Sequence, residues 1–181
     1  IDSAKLGCGV AKYQLGKLFL NGEHFSKNIG YALRWLEEAA EEKNQYAEYL
    51  LGKLYLKGEN VDQDLEKATE LLRRSAMQGN KYASYALAKL LLSSEEFSSD
   101  TLEAFKHLKT ASDKGFAPAE YLLGKLLYEG ERIEKNTEKA LEYLEKSAEK
   151  GNAYAAYLAG KILLTDESVK DVKKAIRYFE I

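Results

Sequence analysis

The stretch AEYLLGKLYLKG at 47–58 decides the fold. With Ala47 as position zero, apolar residues fall at 0, 3, 4, 7 and 8: Ala47, Leu50, Leu51, Leu54 and Tyr55. That spacing is the 3.6-residue stripe of a packed helix. Tyr49, Gly52 and Leu56 make a second apolar stripe on nearly the opposite side. A helix apolar on two sides must be sandwiched between neighbours. Gly58 lies just past the last turn, where a left-handed residue commonly closes a helix.

The same dozen residues recur from Ala11, Ala83, Ala119 and Ala155, always at a step of 36. A second series, Ala32, Ala68, Ala104 and Ala140, shares that step, and its last member, Ala175, comes one residue early. Each second segment follows an Asp or Asn (Asn28, Asp64, Asp100, Asn136, Asp171), residues whose side-chain oxygen caps a helix N-terminus. Gly79-Asn80 and Gly151-Asn152 place a terminating Gly next to a new cap, so successive helices must fold back antiparallel and in contact. The expected fold is all-α: a right-handed α/α superhelix, or solenoid, of about five 36-residue helix-turn-helix repeats. The chain reads as one array over 1–181, with 1–10 the tail of a preceding repeat. Repeats follow at 11–46, 47–82, 83–118 and 119–154, and a truncated one at 155–181.

The pattern A-x-Y-x-L-G-K-L-Y-x-x-G, then D-x-x-K-A-x-x-L and S-A-x-x-G-N, resembles the Sel1-like repeat, a relative of the tetratricopeptide repeat with a longer internal loop. A 36-residue period favours it over the 34 residues of tetratricopeptide units. One departure is that Glu23, Glu59, Glu95, Glu131 and Glu167 stand where the family's loop usually has a second Gly. The resemblance implies a protein–protein interaction scaffold that presents a concave face to a peptide or partner domain. Similar arrays are attached to bacterial mobilisation relaxases, so a non-catalytic module of a larger enzyme is the alternative. Ser3, Ala4 and Gly7 match Ser147, Ala148 and Gly151 after four periods, and the last helix pair is cut short. The chain therefore reads as a piece of a longer protein, and uncapped repeat ends give a third expectation, end-to-end self-association.

Composition narrows the partners. The 181 residues carry a formal net charge of -2, which argues against direct nucleic-acid binding. No apolar run approaches the roughly 20 residues of a membrane helix. Cys8 is the single cysteine, so no internal disulfide can form, and a reducing, cytoplasmic setting is expected. One Cys and two separated histidines, His24 and His107, fit no zinc spacing. His107 occupies a slot filled elsewhere by Trp35, Leu71, Tyr143 and Tyr178, which reads as packing. Carboxylates read as lying on solvated helix faces beside lysines, as in Glu142 and Lys146. No enzyme activity, metal or cofactor is expected.

Between the two apolar stripes of each first helix, position 6 is Lys17, Lys53, Lys89, Lys125 and Lys161. With neighbouring helices about 8–10 Å apart, these would form a ladder of ammonium groups suited to an acidic ligand. The alternatives are that the lysines only solubilise the helix, or that the loop glutamates offset them. Position 3, beside the lysines, varies: Gln14, Leu50, Ala86, Leu122 and Leu158. That makes a mixed apolar and basic groove, unless these Leu are half-covered core. Tyr13, Tyr49, Tyr85, Tyr121 and Tyr157 read as packing between repeats, and Gly16, Gly52, Gly124 and Gly160 as close-approach points. The third repeat is irregular: Ala88 replaces the Gly, the loop reads SSEEFSSD, and Pro118 opens the next helix.

Overall fold

The computed structural model describes residues 8–22, 26–93 and 100–181. Among them are ten α-helices and no strand. First helices are α1 (Gly9–Asn21), α3 (Gln45–Lys57), α5 (Lys81–Ser93), α7 (Ala117–Glu129) and α9 (Ala153–Thr165). Second helices are α2 (Ile29–Glu41), α4 (Leu65–Met77), α6 (Thr101–Asp113), α8 (Thr137–Glu149) and α10 (Val172–Phe179). This is the all-α repeat fold the 36-residue period predicts. His24, Glu23, Glu95, the N-terminal match at Ser3, Ala4 and Gly7, and most of SSEEFSSD lie outside the described residues.

Four of the five predicted caps form as expected. Asn28, Asp64, Asn136 and Asp171 have extended backbones and accept from the N–H three residues on. Each such cap typically stabilises by about 1 kcal/mol. Asp100 departs: its φ of -94° and ψ of 26° turn it out of the extended region, and its side chain makes no cap bond. A second shared bond fixes the loop. The N–H of Asn28, Asp64 and Asn136 donates to the carbonyl nine residues earlier, on Phe19, Tyr55 and Leu127. Asp171 reaches back only eight, to Leu163, which is the lost residue of the last loop.

At the other turn, Asn44, Asn80 and Asn152 cap α3, α5 and α9 with two backbone N–H groups each. The equivalent of Asn at α7 is Phe116, which makes no side-chain cap; Pro118 in the first turn needs no N–H partner there.

The chain divides into two compact units, 1–87 and 88–181, with the division inside α5. In the first unit α1 packs on α2, α2 on α3, and α3 on α4. In the second unit α6 packs on α7, α7 on α8, α8 on α9, and α9 on α10. Leu36, Leu51, Leu54 and Leu71 centre the first unit's core; Leu144, Ile162 and Leu163 centre the second's. Burying one such side chain contributes about 1.5–3 kcal/mol.

The mid-helix glycines do bring paired helices close. A Cβ on Gly124 would sit 2.6 Å from Leu144 Cγ and 2.9 Å from the Ala140 carbonyl oxygen. Gly16 and Gly52 meet Leu36 and Leu72 in the same way. Two of the second helices' ends are tied back to the first helix of their own repeat. Ser75 Oγ donates to the Gln45 carbonyl at 2.6 Å, and Ser147 Oγ to the Ala117 carbonyl at 2.7 Å.

Candidate partner-binding face

Helix pairing buries positions 0, 4 and 7 of α3, α5, α7 and α9 (in α1 only position 4, Leu15, is buried) and leaves the arc through positions 3, 6 and 10 toward solvent. Lys17, Lys89 and Lys161 are exposed, whereas Lys53 and Lys125 are half-buried. Lys53 Nζ stands 5.6 Å from the Tyr49 ring centroid, and Lys125 Nζ lies 3.5 Å from Glu129 on its own helix. The loop glutamates pair elsewhere: Glu59 with Lys57 at 3.1 Å and Glu167 with Lys170 at 2.6 Å. Those two carboxylates therefore do not neutralise the position-6 lysines.

At position 3, Gln14 is exposed, while Leu50, Ala86, Leu122 and Leu158 are half-buried. Leu50 and Leu158 pack against the cores of their units and show one side to solvent.

Sequence reasoning missed the aromatic residues one turn earlier. The first helices begin two residues before position 0, so position -1 lies inside the helix, four residues ahead of position 3 and on the same face. That position is Tyr46, Tyr82 and Tyr154, exposed by 50%, 44% and 77%. Their signal was present as an aromatic recurring at 36 and 72 residues, with Val10 and Pro118 in the other two slots. Each meets the position-2 tyrosine of the preceding first helix. Ring centroids lie 5.9 Å apart for Tyr13 and Tyr46, 6.1 Å for Tyr49 and Tyr82, and 6.4 Å for Tyr121 and Tyr154. The packing expected of Tyr13, Tyr49 and Tyr121 is present, yet half of each contact is surface. Tyr157 meets Phe179 at 6.1 Å and is itself 61% exposed. Burial, with Tyr82 and Tyr13 adjacent, pushes the Tyr49 phenol above its ordinary range.

The first Tyr pair lines an open groove with Val10, Gln14, Lys43 and Gln78. A second groove, in the other unit, is lined by Leu102, Phe105, Ile133 and Tyr143 from the second helices and their loop.

Two carboxylates correct the reading of acids as solvated. Glu48 and Glu120 are buried, each one residue into the repeat. Gln78 Nε2 donates to Glu48 Oε2 at 2.6 Å and Arg74 Nη2 lies 2.8 Å from Oε1; Lys150 pairs with Glu120. Desolvation outweighs these partners and holds the Glu48 carboxyl above its usual range. Lys12 and Glu42 occupy the same two positions in the first repeat with the charges reversed, 2.7 Å apart. Glu142 and Lys146 form no such pair; Lys146 Nζ lies 5.5 Å over the Tyr143 ring instead. His107 is half-buried, with Nε2 3.5 Å from Glu103.

Acids, not bases, are therefore unequally divided between the two sets of helices: the second helices hold eleven lysines and arginines and eleven acids. The five first helices hold eight lysines and three glutamates, and Glu48 and Glu120 are two of those three. Glu129 alone puts a carboxylate on the exposed side of a first helix. Among the described residues, no group of three or more His, Cys, Asp or Glu could hold a metal, and no helix is long and apolar enough to cross a membrane.

Paired helices at a fixed step, with one face of each first helix left open, define a helical-repeat protein. The chain belongs to the Sel1 repeat family, whose model matches 9–44, 45–80, 81–116, 117–152 and 153–181. Sel1 repeats are generally non-catalytic protein-interaction modules. No curated protein matches the chain in sequence. Among solved structures, it is similar to a Sel1 repeat protein from Oxalobacter formigenes: 28% identity, TM-score 0.85, over 98% of this chain and 74% of that one. It is also similar to a protective antigen of uropathogenic Escherichia coli with this fold: 28% identity and TM-score 0.87, over 98% of this chain but 38% of the antigen. An immunity protein from Pseudomonas aeruginosa, 22% identical over 99% of this chain and 69% of its own, shares the fold with a TM-score of 0.60.

Proposed function

We propose that the chain is a scaffold whose first-helix face, the concave side in a repeat superhelix, binds an acidic peptide or the acidic face of a partner domain. The observation that carries this reading is where the acids are missing: the first helices set eight lysines against three glutamates, two of them buried, whereas the second helices balance eleven lysines and arginines with eleven acids. Lys17, Lys53, Lys89, Lys125 and Lys161 supply attraction that steers encounter and fixes orientation. Gln14, Leu50, Ala86, Leu122 and Leu158 differ between repeats and so supply discrimination. Tyr46, Tyr82 and Tyr154 add large, rigid contact area, the residue type that dominates interface energetics.

Acidic and basic peptide libraries displayed against the purified chain test the reading. Acidic sequences are expected to be enriched, with affinity falling as salt rises. Lys53→Glu combined with Lys125→Glu is expected to reverse that preference. Unchanged affinity and salt dependence in the double variant would remove the lysines from the site.

A further inference from the structure

The turn between α2 and α3 differs from its counterparts in one residue. The three later turns of this kind put Gly79, Gly115 and Gly151 in the left-handed region, at φ of 91°, 70° and 83°. The equivalent residue here is Lys43, held at φ 58°. Its N–H still donates to the carbonyl three residues back, on Ala40, as those of the glycines do to Ala76, Ser112 and Ala148. This is therefore the glycine turn with a long side chain placed on it, a conformation unfavourable for a lysine. Its surroundings hold it there. Lys12 pairs with Glu42 at 2.7 Å, and Asn44 caps α3 through the N–H groups of Tyr46 and Ala47.

Enforced backbone strain clusters at binding sites, and no internal contact of the Lys43 head group accounts for it. The side chain is exposed, and its ammonium has no hydrogen-bond or ion-pair partner among the described residues. It lines instead the groove of about 490 Å³ that Val10, Tyr13 and Tyr46 wall on the apolar side, with side-chain amides at Gln14, Gln45 and Gln78. Val10 is 62% exposed, so this wall is open to a ligand. The nearest acids are engaged or face elsewhere. Glu42 is held by Lys12, and Glu48 is buried against Arg74 and Gln78. Glu41 lines a different groove, beside Lys67 and Arg74. A cation without a mate, an apolar wall and amides able to bond a peptide backbone thus meet in one place.

We infer that this groove anchors a partner segment carrying an acidic and an apolar side chain close together. The carboxylate pairs with Lys43, and the apolar group lies against Val10, Tyr13 and Tyr46. Because the groove is open to solvent, a continuous segment can lie across it, and the carboxylate is a side chain's, not a chain end's. The inference rests on the acidic-partner reading and adds the residue that fixes the acid, one outside the position-6 lysines.

An amide-proton NMR titration with the capped peptide acetyl-Gly-Glu-Gly-Phe-Gly-amide tests it. The termini are uncharged, and the central glycine lets both side chains reach the groove together. Amide resonances of Tyr13, Lys43, Gln45 and Tyr46 are expected to shift on binding. Peptides with Gln in place of Glu, or Ala in place of Phe, should bind at least about fivefold more weakly. Lys43→Gly, which copies the other turns, should weaken the Glu–Phe peptide about fivefold or more while raising the thermal unfolding midpoint by up to about 4 °C. Lys43→Arg, which keeps the charge, should keep most of the affinity. Full affinity in Lys43→Gly, or equal binding of the Gln peptide, overturns the inference. So does a lowered unfolding midpoint in Lys43→Gly, because the turn would then hold no strain. If Lys43→Gly binds fully while Lys53→Glu binds weakly, the acidic-partner reading survives without this anchor. Absence of binding by the Glu–Phe peptide also overturns the inference, and the library experiment then judges the broader reading alone.

Discussion

The second and third repeats show how much of the pattern a helix pair can give up. The second has Gly52 against Leu72, Asp64 as a working cap, Gly58 in a left-handed turn at φ 68°, and Glu48 buried with Arg74 and Gln78. In the third, Ala88 stands in the Gly position, Asp100 makes no cap bond, and Ser84 replaces the buried acid, donating to the Asn80 carbonyl at 3.2 Å. Both repeats nonetheless build 13-residue helices at the same step of 36. The shared apolar stripe, with Leu87, Leu91 and Leu108 fully buried in the third repeat, is what survives. Caps, close glycines and buried acids adjust a fold that the stripe already specifies.

If that is right, transplanting the third repeat's choices should cost unequal amounts. The largest effect is expected from Gly124→Ala, whose new methyl meets a backbone oxygen at 2.9 Å as well as Leu144. Overpacking costs about 1–3 kcal/mol, only partly offset by roughly 1 kcal/mol of helix propensity. Contact with a backbone oxygen, which cannot yield as a side chain can, puts Gly124→Ala at the upper end, a net loss of up to about 2 kcal/mol and a fall in thermal unfolding of up to about 4–8 °C. Gly52→Ala should fall less, because its nearest backbone atom is 3.4 Å away and the Leu72 side chain can yield. An equal loss at both sites would contradict this ranking.

Next in size is the cap. Asn136→Ala should cost about 1 kcal/mol in denaturant unfolding, and Asp100→Ala well under half of that. Equal losses would mean that Asp100 caps α6 in solution.

The smallest difference should appear in the pH dependence. The folded pKa of Glu48 is raised, so the native state binds its proton more tightly than the unfolded chain does. The resulting stabilisation is fully present below the unfolded carboxylate pKa, and it is lost as pH rises through the higher folded value. Glu48→Gln should therefore flatten the stability curve on the alkaline side of about pH 4.5, and a Ser84→Ala control should leave its slope unchanged. A steeper curve in Glu48→Gln would show that Arg74 dominates over burial.

The helices, their order and four of the five second-helix caps were legible from the 36-residue period, because the apolar stripe and the Asn or Asp before it are local properties. Asp100 was not, since a cap depends on backbone angles that its residue type does not set. On the binding face, positions 3 and 6 were legible because they fall between the apolar stripes. Tyr46, Tyr82 and Tyr154 were lost because the helix was started at Ala, which put them in the turn. Glu48 and Glu120 were read as solvated because an acid's burial depends on a partner 26 or 30 residues away. The recurring offset of 30, joining Lys12 to Glu42, Glu48 to Gln78 and Glu120 to Lys150, was the available clue.

That offset also limits how such an array can evolve. Each of these three links closes within a single 36-residue unit, so a whole unit can be duplicated or deleted without breaking one, although Lys135–Asp166 and Glu145–Lys174 do bridge the last two units. A crossover in the middle of a unit is different. Joining the front of the first repeat to the back of the fourth would set Lys12 against Lys150. The reciprocal product would bury Glu120 opposite Glu42. Recombination among the copies is thereby steered toward the unit boundaries, where growth or shrinkage of the array leaves Lys12, Glu48 and Glu120 each with its mate.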